Sequence, residues 1–260
     1  MASSSDRTAA GAGFGALAKA DELKKRLWFT VGALIIYRLG TYLPLPGIDP
    51  GALADIFSQQ SSGILGMFDM FSGGALSRMT IFALNIMPYI TASIIMQLMT
   101  AIVPSLEALK KDGETGRKMI NQYTRYLTVL LATVQGYGIA VGLESASGVV
   151  NDPGLFFRVT TVVTLVGGTL FLMWLGEQIT SRGVGNGISL IIFAGIVANL
   201  PTALAGTLEL GRTGALSSLL IVLLFVMAAV VIAFIVFIER SVRKILVQYP
   251  KRQHGNKVFG

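Results

Sequence analysis

Polar side chains inside an apolar stretch are the residues of this sequence best placed for chemistry. Residues 80–97 are long and apolar enough to cross a bilayer, yet they include residues that an anchoring helix does not need: Asn85, Pro88, Thr91, Ser93 and Gln97. In hydrocarbon an unpaired polar group is costly, so these side chains must face protein or a water-filled path. The stretch therefore predicts a helix that lines a protein interior or a water-filled path.

Residue types that perform catalysis or bind metals are scarce. The chain has no cysteine and a single histidine, His254, which argues against thiolate sites, cysteine nucleophiles and histidine-built relays. Of its 14 carboxylates, Glu177 is the nearest to an embedded acid, whereas an ion pump would place carboxylates in mid-span. We therefore expect no catalytic centre, no cofactor and no metal site.

The composition indicates a polytopic membrane protein. Hydrophobic residues make up 53% of the 260 residues, charged residues 13%, and the mean hydropathy is +0.67. A soluble domain would carry roughly twice that charged fraction. Blocks long enough to span the hydrocarbon core, about 17 to 25 residues, are found at 27–45, 79–103, 126–143, 156–175, 188–205 and 215–238. These six blocks predict an all-α bundle of membrane helices.

A further apolar segment, residues 64–71, is too short to span and is followed by Ser72-Gly-Gly74. Periodicity leaves two alternatives open: a hairpin packed on the outer surface, or a segment that dips into a central cavity.

The basic residues predict the orientation. With the N-terminus in the cytoplasm, all but four of the 21 Lys and Arg residues fall on the cytoplasmic side, the exceptions being Arg38, Arg78, Arg158 and Arg212. The positive-inside rule therefore favours both ends inside. Two basic segments, 110–125 and 240–257, are either topology signals that also attract anionic lipid or docking sites for an acidic partner or RNA.

The segment Gly183-Val-Gly-Asn-Gly187 resembles a phosphate loop only superficially, because it lacks the following Lys-Ser/Thr. We expect a tight turn that enters the fifth span, with Asn186 and the glycines in left-handed conformations.

Several motifs together resemble one family. Residues 81–99, with Ile86-Met-Pro-Tyr-Ile90 and Ser93-Ile-Ile-Met-Gln97, and residues 173–189 closely resemble the two hallmark stretches of the SecY family, the channel subunits of the bacterial protein translocase. Residues 44–49, 70–78 and 122–126 are also similar to that family. The resemblance runs from about residue 23 to residue 257.

The resemblance implies a channel for unfolded polypeptides, built from ten helices in two inverted halves, with a lateral opening toward lipid. This chain then comprises a cytoplasmic segment 1–26, a first five-helix half 27–206, a sixth helix 207–238 and the start of a basic loop 239–260, without the second half. The implied pore ring is Ile86, Ile90, Ile188 and Ile192. Each pair is spaced i, i+4, which places both side chains on one face if the backbone is helical.

The short segment resembles the family's plug (residues 64–75), which favours the inward-dipping alternative. Its implied apolar residues are Ile64, Leu65, Met67, Phe68, Met70 and Phe71. Thr91 and Gln97 lie on the helix that resembles one side of the lateral gate.

The resemblance also implies partners. The basic loop would dock the SecA motor or the ribosome through Arg243, Lys244, Lys251, Arg252 and Lys257. The channel would further bind SecE and SecG subunits, signal sequences, nascent polypeptides and anionic lipid, as a passive, multi-pass protein of the bacterial inner membrane.

Two departures from the family pattern stand out. Asn85 occupies a position that is generally Gly, and the loop tip is Gly255-Asn-Lys257 where many relatives carry consecutive arginines. Two other classes stay open at this point: a small-solute permease, which mid-span carboxylates would favour, and a non-conducting membrane scaffold.

Overall fold

A computed structural model of the protein describes residues 21–60, 69–70, 72–146, 148–242, 252–254 and 257–259. The chain divides into two compact units, residues 1–201 and 202–260. The first unit contains seven of the helices found in the described residues, α1 (Asp21–Gly40), α2 (Pro50–Gln60), α3 (Met87–Ile102), α4 (Pro104–Lys111), α5 (Glu114–Ser145), α6 (Leu155–Arg182) and α7 (Gly187–Ala198).

The core of the first unit is built around α6. This helix packs along α5 and also contacts α1 and α7, while α3 packs against α5. One buried cluster joins α1, α6 and α7 and includes Tyr37, Leu172 and Ile191. A second cluster lies between α5, α6 and the loops, and includes Leu45, Met79 and Leu165. The helices of this unit therefore form one packed bundle.

Proline separates α3 from α4. Val103 adopts an extended conformation (φ −94°, ψ 115°) because the ring of Pro104 disfavours a helical residue before it. The two helices are bent by 98° at this point. Pro104 then begins α4, where the missing N–H removes no helical hydrogen bond.

The second unit begins within α8 (Leu200–Arg212) and contains α9 (Ser218–Glu239). The Oγ atom of Ser217 accepts a hydrogen bond from the backbone N–H of Leu220 and caps α9. The apolar α9 has a mean hydropathy of 3.5 and none of that window is buried, so it is suited to lipid or to a partner helix. Two short antiparallel strands follow, β1 (Arg252–His254) and β2 (Lys257–Phe259), which the sequence did not predict.

The expected spans are only partly confirmed. By length and composition, four helical segments in the described part of the chain could cross a membrane: α5, α6, α7 together with α8, and α9. The number rises to five if the bent pair α3 and α4 counts as one span. These helices cover the predicted third, fourth, fifth and sixth blocks, although the fifth is divided at Asn199 between α7 and α8.

The first two predicted spans were wrong in their bounds. The helix predicted over 27–45 ends at Gly40, and the helix predicted over 79–103 begins only at Met87. Residues 79–86 instead form successive turns, because two non-glycine residues there have positive φ: Met79 (43°) and Asn85 (50°). Hydrophobicity gave the length of these blocks and could not locate the turns inside them.

Candidate functional site

The turns of residues 79–86 are held by a layer of irregular backbone. The N–H of Leu45 donates to the carbonyl of Met79 (2.9 Å), and the N–H of Ile81 donates to the carbonyl of Leu43 (3.0 Å). The loop that contains Leu43 and Leu45 also pairs with a third segment, because the carbonyl of Gly47 accepts the N–H of Asn151 (3.1 Å). These pairings satisfy backbone groups that a helix would have satisfied internally.

Asn85 starts the turn into α3. Its φ of +50° is a left-handed conformation that Asn tolerates better than other residues with a side chain. The residue is buried, with 3% of its surface exposed, and its N–H donates to the carbonyl of Phe82 (2.8 Å). A glycine would fit the same conformation, which explains how Asn replaces the residue that the resemblance led us to expect.

Two glycines leave room for residues 81 and 82 inside the bundle. A Cβ atom on Gly168 of α6 would overlap the carbonyl oxygen of Ile81, and one on Gly40 of α1 would overlap the ring of Phe82. Phe82 stacks between Tyr37 (ring centroids 6.2 Å apart) and Phe171 (5.9 Å). The aromatic stack therefore joins α1 to α6 through a residue that lies in no helix.

The four predicted pore-ring residues meet in one apolar cluster. Ile86 is fully buried there, and Ile90, Ile188 and Ile192 are partly buried against it. Ile86 is the N-cap of α3 (φ −98°, ψ 7°) and accepts the N–H of Ile90 at 3.1 Å, so the assumption that both lie within one helix was wrong. The sequence also missed Ile191, which is fully buried in the cluster.

The start of α7 fixes the second isoleucine pair. The Oδ1 atom of Asn186 accepts the N–H groups of Ile188 (3.1 Å) and Ser189 (3.4 Å), so Asn186 caps the helix at φ −84°. It was wrong to expect a left-handed Asn186, since Gly185 takes that conformation (φ +76°). Gly187 lies against the carbonyl of Gly176, where a Cβ atom would not fit.

The predicted gate residues have different surroundings. The hydroxyl of Thr91 donates to the carbonyl of Met87 in its own helix (3.1 Å). Gln97 is exposed and lines a cavity of about 350 Å³ between α3, α4 and the first turns of α5. Thr91 is thus bonded within its own helix and Gln97 lines this cavity, and their assignment to a lateral gate stays a prediction.

Most predicted plug residues, Ile64, Leu65, Met67, Phe68 and Phe71, lie outside the described residues, and Met70 is exposed. The turn that follows is held by two arginines, because Arg38 (3.0 Å) and Arg78 (3.2 Å) both donate to the carbonyl of Gly73. Both guanidinium groups also lie over the ring of Tyr42, at 5.1 and 4.5 Å from its centroid. Neither the arginine pair nor its stacking on tyrosine was foreseen from the sequence.

The docking residues are only partly within the structure. Arg243, Lys244 and Lys251 lie outside the described residues. Arg252 and Lys257 lie on the two strands, where Arg252 is opposite Phe259 and His254 is opposite Lys257. The basic loop thus carries a short hairpin at the positions predicted to meet a partner.

Two ion pairs join α5 to α6 at opposite ends. Arg125 binds Glu177 through two nitrogens, with Nη2 2.7 Å from Oε2 and Nε 3.1 Å from Oε1. At the other end the Nε atom of Arg158 donates to Glu144 (2.7 Å), whose other oxygen accepts the N–H of Gly154 (2.9 Å). Among the described residues no group of three or more His, Cys, Asp or Glu side chains could hold a metal ion.

Solved structures of other proteins are similar to this fold. The structures described as "The structure of a protein conducting channel" and "Sec61 in the Canine ribosome-channel complex from the endoplasmic reticulum" both match with a TM-score of 0.50 and 19% identity. Each match covers 73% of this chain and 38% of the other. At this identity the likeness shows the fold alone, an all-α bundle.

The sequence relatives are much closer. The protein translocase subunit SecY of Rickettsia conorii is 57% identical over 244 residues, which are 92% of this chain and 56% of the relative. That of Escherichia coli K12 is 56% identical over 241 residues, 92% of this chain and 54% of the relative. The chain thus spans just over half the length of these relatives. The SecY family model matches residues 80–259, and the chain therefore belongs to the SecY family.

Proposed function

We propose that this chain supplies part of the wall of a protein-conducting channel, through which unfolded secretory polypeptides cross the bacterial inner membrane and membrane proteins leave sideways into lipid. The observation that carries the proposal is the identity of 56–57% over 92% of the chain to protein translocase subunits. The apolar cluster gives it a physical basis, because it brings Ile86, Ile90, Ile188 and Ile192 together from two separate segments.

In this proposal the isoleucines form the constriction. Branched apolar side chains shape themselves around a passing polypeptide and exclude water and ions by dewetting when the pore is idle. Ile90, Ile188 and Ile192 are the partly exposed members and so would contact the substrate first. Ile86 is enclosed and would support them from behind.

The remaining assignments are part of the same proposal. Residues 64–75 form the plug, and Thr91 and Gln97 belong to the helix on one side of the lateral gate. The basic hairpin with Arg252 and Lys257, together with Arg243, Lys244 and Lys251, which precede it in the sequence, docks the SecA motor or the ribosome. SecE and SecG complete the channel, and energy comes from the partner and not from a catalytic centre in this chain.

Crosslinking to a stalled substrate tests the pore. A photoreactive residue at position 90 or 192, in a translocase assembled with this chain, should crosslink to a stalled secretory precursor, because both positions line the proposed constriction. Position 163 is the matched control, since Val163 is 66% exposed on α6 and lies outside the cluster.

Precursor adducts at 90 and 192 with lipid adducts at 163 would support the channel. Only lipid adducts at all three positions would contradict it.

A further inference from the structure

A tight turn, residues 72–78, contains the end of the proposed plug and is held together by its own hydrogen bonds. The Oγ atom of Ser72 donates to the carbonyl of Asp69 (2.9 Å) and accepts the N–H of Leu76 (3.1 Å). The Oδ1 atom of Asp69 accepts the N–H of Ser77 (2.8 Å). Because these bonds link the beginning of the turn to its end, we expect the turn to move as one unit.

Gly73 brings this turn into contact with two helices. Its carbonyl accepts hydrogen bonds from Nη1 of Arg38 on α1 (3.0 Å) and from Nη2 of Arg78 (3.2 Å). A Cβ atom on Gly73 would lie only 2.9 Å from the carbonyl oxygen of Gly195 on α7. The turn is therefore packed against the helix that carries Ile192 of the proposed constriction.

Arg38 and Arg78 make no ion pair within the described part of the chain. Both lie over the ring of Tyr42, and Nη2 of Arg38 also donates to the Tyr42 hydroxyl (3.2 Å). Two like charges thus share a neutral carbonyl and a ring, whereas Arg125 and Arg158 each bind a carboxylate. A cation that binds a neutral carbonyl can separate from it without leaving an unpaired opposite charge behind. The contact is therefore suited to release.

We propose that Arg38 and Arg78, stacked on Tyr42, form an arginine clamp that holds the carbonyl of Gly73 and keeps the turn against α7 while no polypeptide is passing. The inference rests on the proposed function and adds to it the residues that position the end of the plug. Tyr42 fixes the planes of both guanidinium groups, and the planar arginine fork directs their N–H groups at the carbonyl. Arg38 and Arg78 are positioning residues, since they act on the pore through the turn.

A nitroxide label tests whether the arginine clamp holds the turn. The sequence has no cysteine, so Met70→Cys provides a single labelling site, and Met70 is exposed just before the turn. In the assembled translocase without a substrate, Arg38→Gln with Arg78→Gln should increase the mobility of the label in the electron paramagnetic resonance spectrum. Thermal unfolding verifies that the variant folds.

The matched control is Arg26→Gln with Arg182→Gln, which removes the same charge from two exposed arginines. Arg26 binds Glu22 in its own helix, and neither arginine donates to residues 72–78. The control should leave the mobility of the label unchanged.

The leak of iodide through the idle translocase in vesicles gives a second readout. In the Arg38 and Arg78 double variant the leak should rise at least about tenfold, because one hydrogen bond to a charged group contributes about this factor or more. The loss of two positive charges would by itself weaken the attraction of iodide. An increase therefore reports a displaced turn and not the changed charge.

Three outcomes would overturn the arginine clamp: unchanged label mobility in the Arg38 and Arg78 double variant, an equal increase in the control, or an unchanged leak despite a mobile label. The crosslinks at positions 90 and 192 test the channel separately. Their failure, with a mobile label in the double variant, would contradict the proposed channel and would still support the hold of the two arginines on the turn.

Discussion

At the scale of single residues, backbone conformation explains a substitution that side-chain chemistry does not. Asn85 carries a polar amide into an apolar region, and its left-handed φ of +50° provides the reason. Left-handed backbone costs most residues roughly 1–2 kcal/mol, and Gly and Asn tolerate it best. The turn that this residue makes sets the position of Ile86 at the start of α3.

Substitution at Asn85 tests this explanation. Asn85→Gly should leave the free energy of unfolding nearly unchanged, whereas Asn85→Val should lower it by about 2 kcal/mol, because a β-branched residue resists positive φ. Both are measured by unfolding of the assembled protein in mild detergent. Asn199→Val is the control, since Asn199 has a φ of −90°. Equal losses in Asn85→Val and Asn199→Val would mean that the conformation of Asn85 is not the cause.

At the scale of helices, close approach decides the packing. The turns of residues 79–86 reach the core only because Gly40 and Gly168 leave room for Phe82 and the carbonyl of Ile81. A carbonyl group held in a hydrogen-bonded turn cannot move aside as a flexible side chain does. Of the neighbouring glycines 167 and 168 on α6, only Gly168 is therefore essential for this packing.

The adjacent glycines 167 and 168 provide a direct comparison. Gly168→Ala should lower the free energy of unfolding by about 3 kcal/mol, the upper range for overpacking, because its Cβ would overlap the Ile81 carbonyl. A Cβ atom added to Gly167 would have no other atom within 4 Å. Gly167→Ala should therefore raise the free energy of unfolding by about 0.5–1 kcal/mol. Denaturant titration in detergent measures both, and similar effects at the two positions would show that the approach of Ile81 to Gly168 is not tight.

At the scale of the whole molecule, hydropathy predicts which segments span a membrane, and charge predicts the direction in which they are inserted. Apolar helices long enough to span occur in both units, and α9 is apolar on every side. The basic residues fall into alternate connecting segments, which predicts an orientation with the N-terminus inside. The orientation rests on this charge pattern and stays a prediction.

The absence of cysteine from the sequence permits a labelling test of orientation. Lys24→Cys near the start of α1 and Asp152→Cys in the loop between α5 and α6 are both exposed positions. In intact cells a membrane-impermeant maleimide should label position 152 and should label position 24 only after permeabilisation. The reverse pattern would contradict the N-inside orientation.

The sequence determined the class of the protein and the family to which it belongs. A run of apolar residues is a local property, so composition and hydropathy sufficed for the long helices α5, α6 and α9. The matched motifs at residues 81–99 and 173–189 sufficed for the family. The four isoleucines that they indicated do meet in one cluster.

Only the tertiary structure decided how those isoleucines meet. The turns at Met79 and Asn85 and the glycine contacts of α1 and α6 depend on segments far apart in the sequence. Hydropathy sums over neighbours in the chain, whereas close approach and ion pairing depend on neighbours in space. Residues 80–97 were predicted as one lining helix, and their division into buried turns and a shorter helix required the packed bundle.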